Sequence, residues 1–139
     1  MRTFKILIVE DFVSTVKGAF ELAALYKYDE NMTFSVVSRS QDIDFEHIRD
    51  YGLVFVDIEL GKASNEDGFA VIRKLLNSGV MPLNRVLILT GNTVIEEKLN
   101  AENIDPKIEI VKKPADYNDI TEVLLRHVRL SSEGEYVLI

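Results

Sequence analysis

Residues 53–57 read Leu53-Val54-Phe55-Val56-Asp57, four consecutive apolar residues closed by a carboxylate. A strand with one face in water alternates apolar and polar residues. An unbroken apolar run of this length, rich in β-branched and aromatic side chains, marks a strand covered on both faces of a parallel sheet. Two more runs share that texture, Ile6-Leu7-Ile8-Val9 and Val86-Leu87-Ile88-Leu89. Two others alternate: Phe34 and Val36 are set off by Thr33 and Ser35, and Ile108 and Ile110 flank Glu109. Alternation suits edge strands, whose second face is less covered.

Working outward, strands are expected at about Lys5–Val9, Thr33–Val37, Leu53–Val56, Arg85–Leu89 and Ile108–Val111. Helical periodicity fills the gaps at about Val13–Tyr26, Asp42–Asp50, Asp67–Ser78, Asn92–Ala101 and Ala115–Leu130. The first helix shows its apolar stripe through Val13, Val16, Phe20 and Ala23, the last through Ile120, Val123, Leu124 and Val128. Asp67-Gly68 reads as the start of the third helix. Five strand–helix alternations predict an α/β fold, a parallel sheet with helices on both faces. With strands 2 and 5 at the edges and 1, 3 and 4 inside, the order is 2-1-3-4-5, the doubly wound, flavodoxin-like arrangement.

Composition narrows the function. The 139 residues suffice for one domain and not for two full ones. Sixteen basic residues against 23 acidic give a net charge of −7, a surface that repels a nucleic-acid backbone. Cysteine is absent, which excludes disulfides and thiolate metal sites. No apolar run approaches the length of a membrane span. The apolar stretch of the first strand meets Glu10 and Asp11 too soon for a signal peptide, so a cytoplasmic location is expected.

Ligands of such sheets bind beyond the carboxyl ends of the central strands. Strand 1 runs into Glu10-Asp11, strand 3 into Asp57, strand 4 into Thr90, and strand 5 into Lys112-Lys113-Pro114. Three carboxylates, a hydroxyl and an ammonium therefore meet on one rim. Hard carboxylate oxygens suit Mg²⁺, a carboxylate can act as a nucleophile, and a lysine and a hydroxyl can neutralise and orient a transferred phosphoryl group. Of the two lysines, Lys113, next to Pro114, is the expected site residue. His47 and His127 read as surface residues.

The four segments ILIVED, LVFVDIEL, VLILTGN and IEIVKKPAD, in this order over roughly residues 4–130, resemble the motifs of response-regulator receiver domains. The resemblance implies that Asp57 is the phosphoacceptor. It implies Mg²⁺ ligation by Asp11 and Asp57, with Glu10 acting mostly through a metal-held water and the backbone carbonyl of Glu59 as a further ligand. Lys113 would bridge Asp57 and then the phosphoryl group, and Thr90 would turn to a phosphoryl oxygen. Such a protein is a signalling phosphoacceptor of two-component systems rather than an enzyme. Its partners would be a sensor histidine kinase or phosphotransfer protein and a downstream protein, with a homodimer also open.

Three features depart from the family pattern. Ile110 stands where an aromatic switch residue is usual, three positions before Lys113. The loop from Ile58 to Glu66 is longer than in chemotaxis-type members, and it carries Gly61 where proline is frequent. Glu59 and Asn92, two positions beyond Asp57 and Thr90, border the path of water to a phosphoaspartate and are expected to set its lifetime. After a receiver domain spanning 1–130, a tail of 131–139 leaves no room for an output domain, so the chain is expected to be a stand-alone receiver or part of a longer protein. The apolar end, Tyr136-Val137-Leu138-Ile139, is expected to fold back on the domain, with a partner or dimer contact as the alternative. Competing readings are a non-phosphorylated interaction module and an aspartate-nucleophile phosphatase of the haloacid-dehalogenase type. The phosphatase wants an aspartate where Glu59 stands. A flavodoxin-like redox protein is rejected, because Glu10-Asp11 would repel the flavin phosphate.

Overall fold

The computed structural model describes residues 3–11, 17–23, 31–77 and 79–139. Five parallel strands, β1 (Phe4–Val9), β2 (Met32–Val37), β3 (Leu53–Asp57), β4 (Val86–Thr90) and β5 (Glu109–Lys112), form one sheet. Their order is β2-β1-β3-β4-β5, as the strand textures predict. Every residue of β3 and β4 is buried, whereas β2 and β5 are partly exposed. The distinction between continuous and alternating runs thus separates the central strands from the edges.

Alternation along the buried strands divides the core in two. Leu7, Val9, Val54, Val56, Val86 and Ile88 face α2 (Gly68–Asn77) and α3 (Ile95–Ala101), meeting Phe69, Ile72, Leu75, Ile95 and Leu99. Ile6, Ile8, Leu53, Phe55, Leu87 and Leu89 face α1, helical over the described residues 17–23, and α4 (Tyr117–His127). There they meet Phe20, Ala23, Ile120, Val123 and Leu124. The rings of Phe20 and Phe55 pack edge to face with centroids 4.8 Å apart. Val13, Val16 and Tyr26 of the expected first helix lie outside the described residues.

Two elements differ from expectation. Where a helix was expected at Asp42–Asp50, the chain makes two 3₁₀ turns, Ser40–Asp42 and Phe45–Asp50, joined by extended backbone at Ile43 and Asp44. The buried Ile43 and Ile48 are five residues apart, which on an α-helix sets them about 140° apart, on different faces. Phe45 and Ile48, both packed on the core, are three apart and eclipse in a 3₁₀ turn. The last helix also ends early. α4 opens on a capping box between Asp116 and Asp119 and stops at His127, where Val128 turns extended.

Val128–Leu130 then forms β6, which pairs antiparallel with β7 (Tyr136–Leu138) through a turn containing Gly134 at φ 82°. The apolar end of the chain is therefore folded back: Tyr136 and Leu138 pack against the α1/α4 side of the core. Leu138→Ala is expected to cost about 1–2 kcal/mol, below the 2–5 of a fully buried leucine because Leu138 is partly exposed. Urea unfolding would show this as a lower midpoint at unchanged slope. An unaltered midpoint would mean that the hairpin adds nothing to the domain.

Candidate phosphoryl-transfer site

Strand register assembles the carboxyl-end rim. Val9 pairs with Val56, and Asp57 with Leu89, so Glu10 follows β1 at the level of Asp57. The ladder continues past the strand ends: Glu10 N–H donates to Val37 O, Ile58 N–H to Leu89 O and Lys113 N–H to Thr90 O. These bonds hold the site residues on regular backbone, where they are placed more accurately than on a loop. On the far side of Asp57, α2 approaches closely. Asp67 caps it by accepting from Ala70 N–H at 2.9 Å, and Gly68 lies directly against the strand end. A Cβ on Gly68 would fall 2.1 Å from the carbonyl oxygen of Asp57, so only glycine fits there.

Four of the six candidate site residues, Glu10, Asp11, Asp57 and Lys113, bring their side chains together. Glu10, Asp11 and Asp57 each offer a carboxylate oxygen within 4.8 Å of the others. Lys113 Nζ donates to Asp57 Oδ2 and Glu10 Oε2, each at 3.1 Å. Lys112 is exposed. Asp57 Oδ1 accepts from Glu59 N–H at 3.0 Å, which anchors the loop after β3 to the nucleophile candidate. Thr90 stands apart from this group. Its hydroxyl donates to Glu59 Oε1 at 3.3 Å and accepts from Asn92 N–H at 3.0 Å.

Strand parity accounts for the separation. Asp57 shares the parity of Leu53 and Phe55, on the α1/α4 side, while Thr90 shares that of Val86 and Ile88, on the other. The Glu59–Thr90 contact was not foreseen as such. The only sequence signal for it was the position of Glu59 two residues beyond Asp57. Ile110, at the expected aromatic position, is partly buried against the α2/α3 side of the core.

Electrostatics at the rim are unbalanced. Glu10 and Asp57 are buried, at 0% and 1% exposure, and buried charge must be paired. Lys113 is the ammonium that pairs them. Burial alone would lower the Lys113 pKa, but the hydrogen bond and charge of Asp57, then those of Glu10, outweigh it and the net displacement is upward. With its folded pKa above the unfolded value, Lys113 contributes stability that is fully present below the unfolded pKa. That contribution is lost only as pH rises through the folded pKa, so the ammonium persists across the neutral range. Among the described residues one cation, Lys113, is bonded within a group of three acids, and carboxylate charges about 5 Å apart repel by roughly 3 kcal/mol at an effective dielectric of about 20.

Asp11 Oδ1 is buried and accepts no hydrogen bond from the described residues. A hard-oxygen cluster with surplus negative charge and an orphaned acceptor is what a divalent cation such as Mg²⁺ satisfies, so the residues present fit the ion. A second candidate group, Asp44, Glu46 and His47, is fully exposed, and Asp44 is spent on Glu46 N–H and the His47 ring. His47 is on the surface, as expected. His127 is not: it is half-buried, its Nε2 3.0 Å from Glu109 Oε1, because it closes α4 onto β5.

No protein-family model and no curated protein sequence matches the chain. Solved structures do. A response regulator receiver domain protein from Clostridium thermocellum aligns at TM-score 0.65 and 20% identity, over 88% of this chain and 91% of that one. Chemotaxis protein CheY4 of Vibrio cholerae aligns at TM-score 0.66 and 15% identity, over 89% and 98%. The fold is that of response-regulator receiver domains. The receiver domain of NtrX from Brucella abortus aligns on the same receiver-domain fold at TM-score 0.62 and 23% identity, over 87% and 95%. Among the described residues no helix is long and apolar enough to cross a membrane.

Asp11→Asn removes a carboxylate charge whose buried oxygen has no hydrogen-bond partner among the described residues. In chelator it is expected to raise the thermal midpoint by about 2–4 °C, the shift of about 1 kcal/mol in a domain of this size. Calorimetry showing a lower midpoint would contradict the surplus-charge account.

Proposed function

We propose that the protein is a phosphoacceptor of two-component signal transduction, phosphorylated on Asp57 from the phosphohistidine of a sensor kinase or phosphotransfer protein. The observation that carries this reading is the buried Asp57 carboxylate held by Lys113 beside the Glu10–Asp11 pair at the end of β3. In the transfer, an Asp57 oxygen forms the new bond to phosphorus as the phosphorus–nitrogen bond of the donor breaks and the imidazole leaves. Water later attacks phosphorus, and the Asp57 carboxylate leaves as inorganic phosphate forms. Lys113 neutralises the group being transferred. Thr90, once released from Glu59, donates its hydroxyl to a phosphoryl oxygen.

Asp11 and Asp57 would hold Mg²⁺, with Glu10 and the backbone carbonyl of Glu59 completing the protein's share. The ion, when bound, offsets the charge that three acids and a phosphoryl group would otherwise concentrate. The protein thus acts as a signalling module in the cytoplasm, read by a downstream protein after the Thr90 loop, α3 and β5 rearrange. The intact set of Asp57, Thr90 and Lys113 supports this over a non-phosphorylated interaction module.

Incubation with Mg²⁺ and a small acyl phosphate is expected to add the mass of one phosphoryl group to the chain and none to the Asp57→Ala variant. An unmodified wild-type chain would sink the proposal in favour of the interaction module. Glu59 is bonded to Asp57 through its N–H and to Thr90 through its carboxylate. Glu59→Ala is expected to shorten the half-life of the phosphorylated protein by about threefold, a change of under 1 kcal/mol in barrier. Asn92→Ala should change it less, because Asn92 Oδ1 is turned to Val94 N–H. Equal half-lives in wild type and Glu59→Ala would remove Glu59 from that role.

A further inference from the structure

The long loop after β3 is not a loose excursion. Ser40 N–H donates to Ser64 Oγ at 2.8 Å, and Glu66 N–H donates to Ser40 Oγ at 2.9 Å. Gln41 Nε2 donates to Ala63 O at 2.8 Å, and Asn65 N–H donates to Gln41 Oε1 at 2.8 Å. Ser64 Oγ donates in turn to Glu66 O, and Ser64 N–H to Gly61 O. Lys74 of α2 clamps Glu66 at 2.6 Å. The 3₁₀ turn at Ser40–Asp42, which replaces the start of the expected helix, is thus spent on fixing residues 63–66.

The other end of that segment meets the acid cluster. A Cβ on Gly61 would fall 2.9 Å from Asp11 Oδ2, the free end of that side chain, so a residue with a Cβ there would displace the carboxylate. Gly61 does not adopt the left-handed backbone that calls for glycine, so the close approach is the constraint at this position. Resting on the cation reading above, we propose that residues 61–66, stapled to Ser40 and Gln41, form a rigid wall that holds the Asp11 carboxylate in its cation-binding conformation. Gly61 is then the positioning residue where wall and carboxylate touch, and Ser40 and Gln41 act at one remove. Outer-shell groups that orient ligands in this way typically change metal affinity 10–100-fold.

The test is Mg²⁺ titration of the full chain, followed by the side-chain carboxylate carbon resonance of Asp11. Gly61→Ala is expected to weaken Mg²⁺ binding about tenfold and to shift the Asp11 carboxylate resonance already in chelator, with the metal-free thermal midpoint held or raised. Gln41→Ala, at an exposed position, should weaken binding in the same direction by about threefold, a smaller effect than direct contact at Gly61. It serves as the second arm if Gly61→Ala folds poorly. Wild-type affinity in both variants would overturn the wall while leaving the cation site standing. No Mg²⁺ binding by the wild-type chain would overturn the cation reading itself, and the wall with it.

Discussion

The two hydrogen bonds from Lys113 are the constraint on which the rest of the structure depends. They join Glu10, 103 residues away in sequence, and Asp57, 56 residues away, at the end of a sheet whose interior is otherwise apolar. Remove the ammonium and the buried carboxylates of Glu10 and Asp57 both lose the cation that bridges them, a change of the kind that costs about 3–5 kcal/mol in buried pairs. Lys113 can hold that post because its backbone N–H is tied to Thr90 O, which carries the β4–β5 ladder one step past the strand. Sheet register and charge pairing are therefore one arrangement. Neither side of it can shift without exposing the other's cost.

The same alternation that builds the core distributes the chemistry. Side chains of odd and even position in β3 and β4 pass to opposite faces, so a residue's parity decides which helices it meets. Glu10 and Asp57 extend the face of Ile6, Ile8, Leu53 and Phe55, and Thr90 extends the face of Val86 and Ile88. The Thr90 hydroxyl on one side and the Asp57 carboxylate on the other leave a gap between them. Glu59, rooted by its N–H on Asp57 Oδ1 and reaching Thr90 with its carboxylate, spans that gap. At 3.3 Å the contact is long for a hydroxyl donating to a carboxylate, whose usual length is about 2.5–2.7 Å, and so is easily given up.

The sheet was legible because burial leaves a direct mark on composition. Leu53-Val54-Phe55-Val56 can be apolar throughout only if both faces are covered, and Thr33, Ser35 and Glu109 are tolerated only where one face is open. The site residues were legible because a parallel sheet delivers the residues after its strands to one edge. The rest required knowledge of partners distant in sequence. The span Asp42–Asp50 reads as one helix until Ser40 and Gln41 are seen to be bonded to residues 63–66, about two dozen positions on. Val128 continues the α4 stripe, yet Leu138 claims it as a strand partner. Gly61 carries no mark of its purpose, since what it avoids is a carboxylate 50 residues earlier.

These long-range terms are concentrated on the site and not on the core. The core would tolerate a helix in place of the 3₁₀ turns if it could still bury Ile43 and Ile48. The acid cluster is less forgiving, because its surplus charge pushes Asp11 outward unless something rigid stands behind it. A carboxylate with an unpartnered buried oxygen is held against its own repulsion only by neighbours that cannot yield. The hydrogen-bonded network from Ser40 to Glu66 has that character, because several bonds share few residues and tie both ends of the segment to one turn. The departure from regular helix between β2 and β3 is thus tied to the segment that borders the acid cluster.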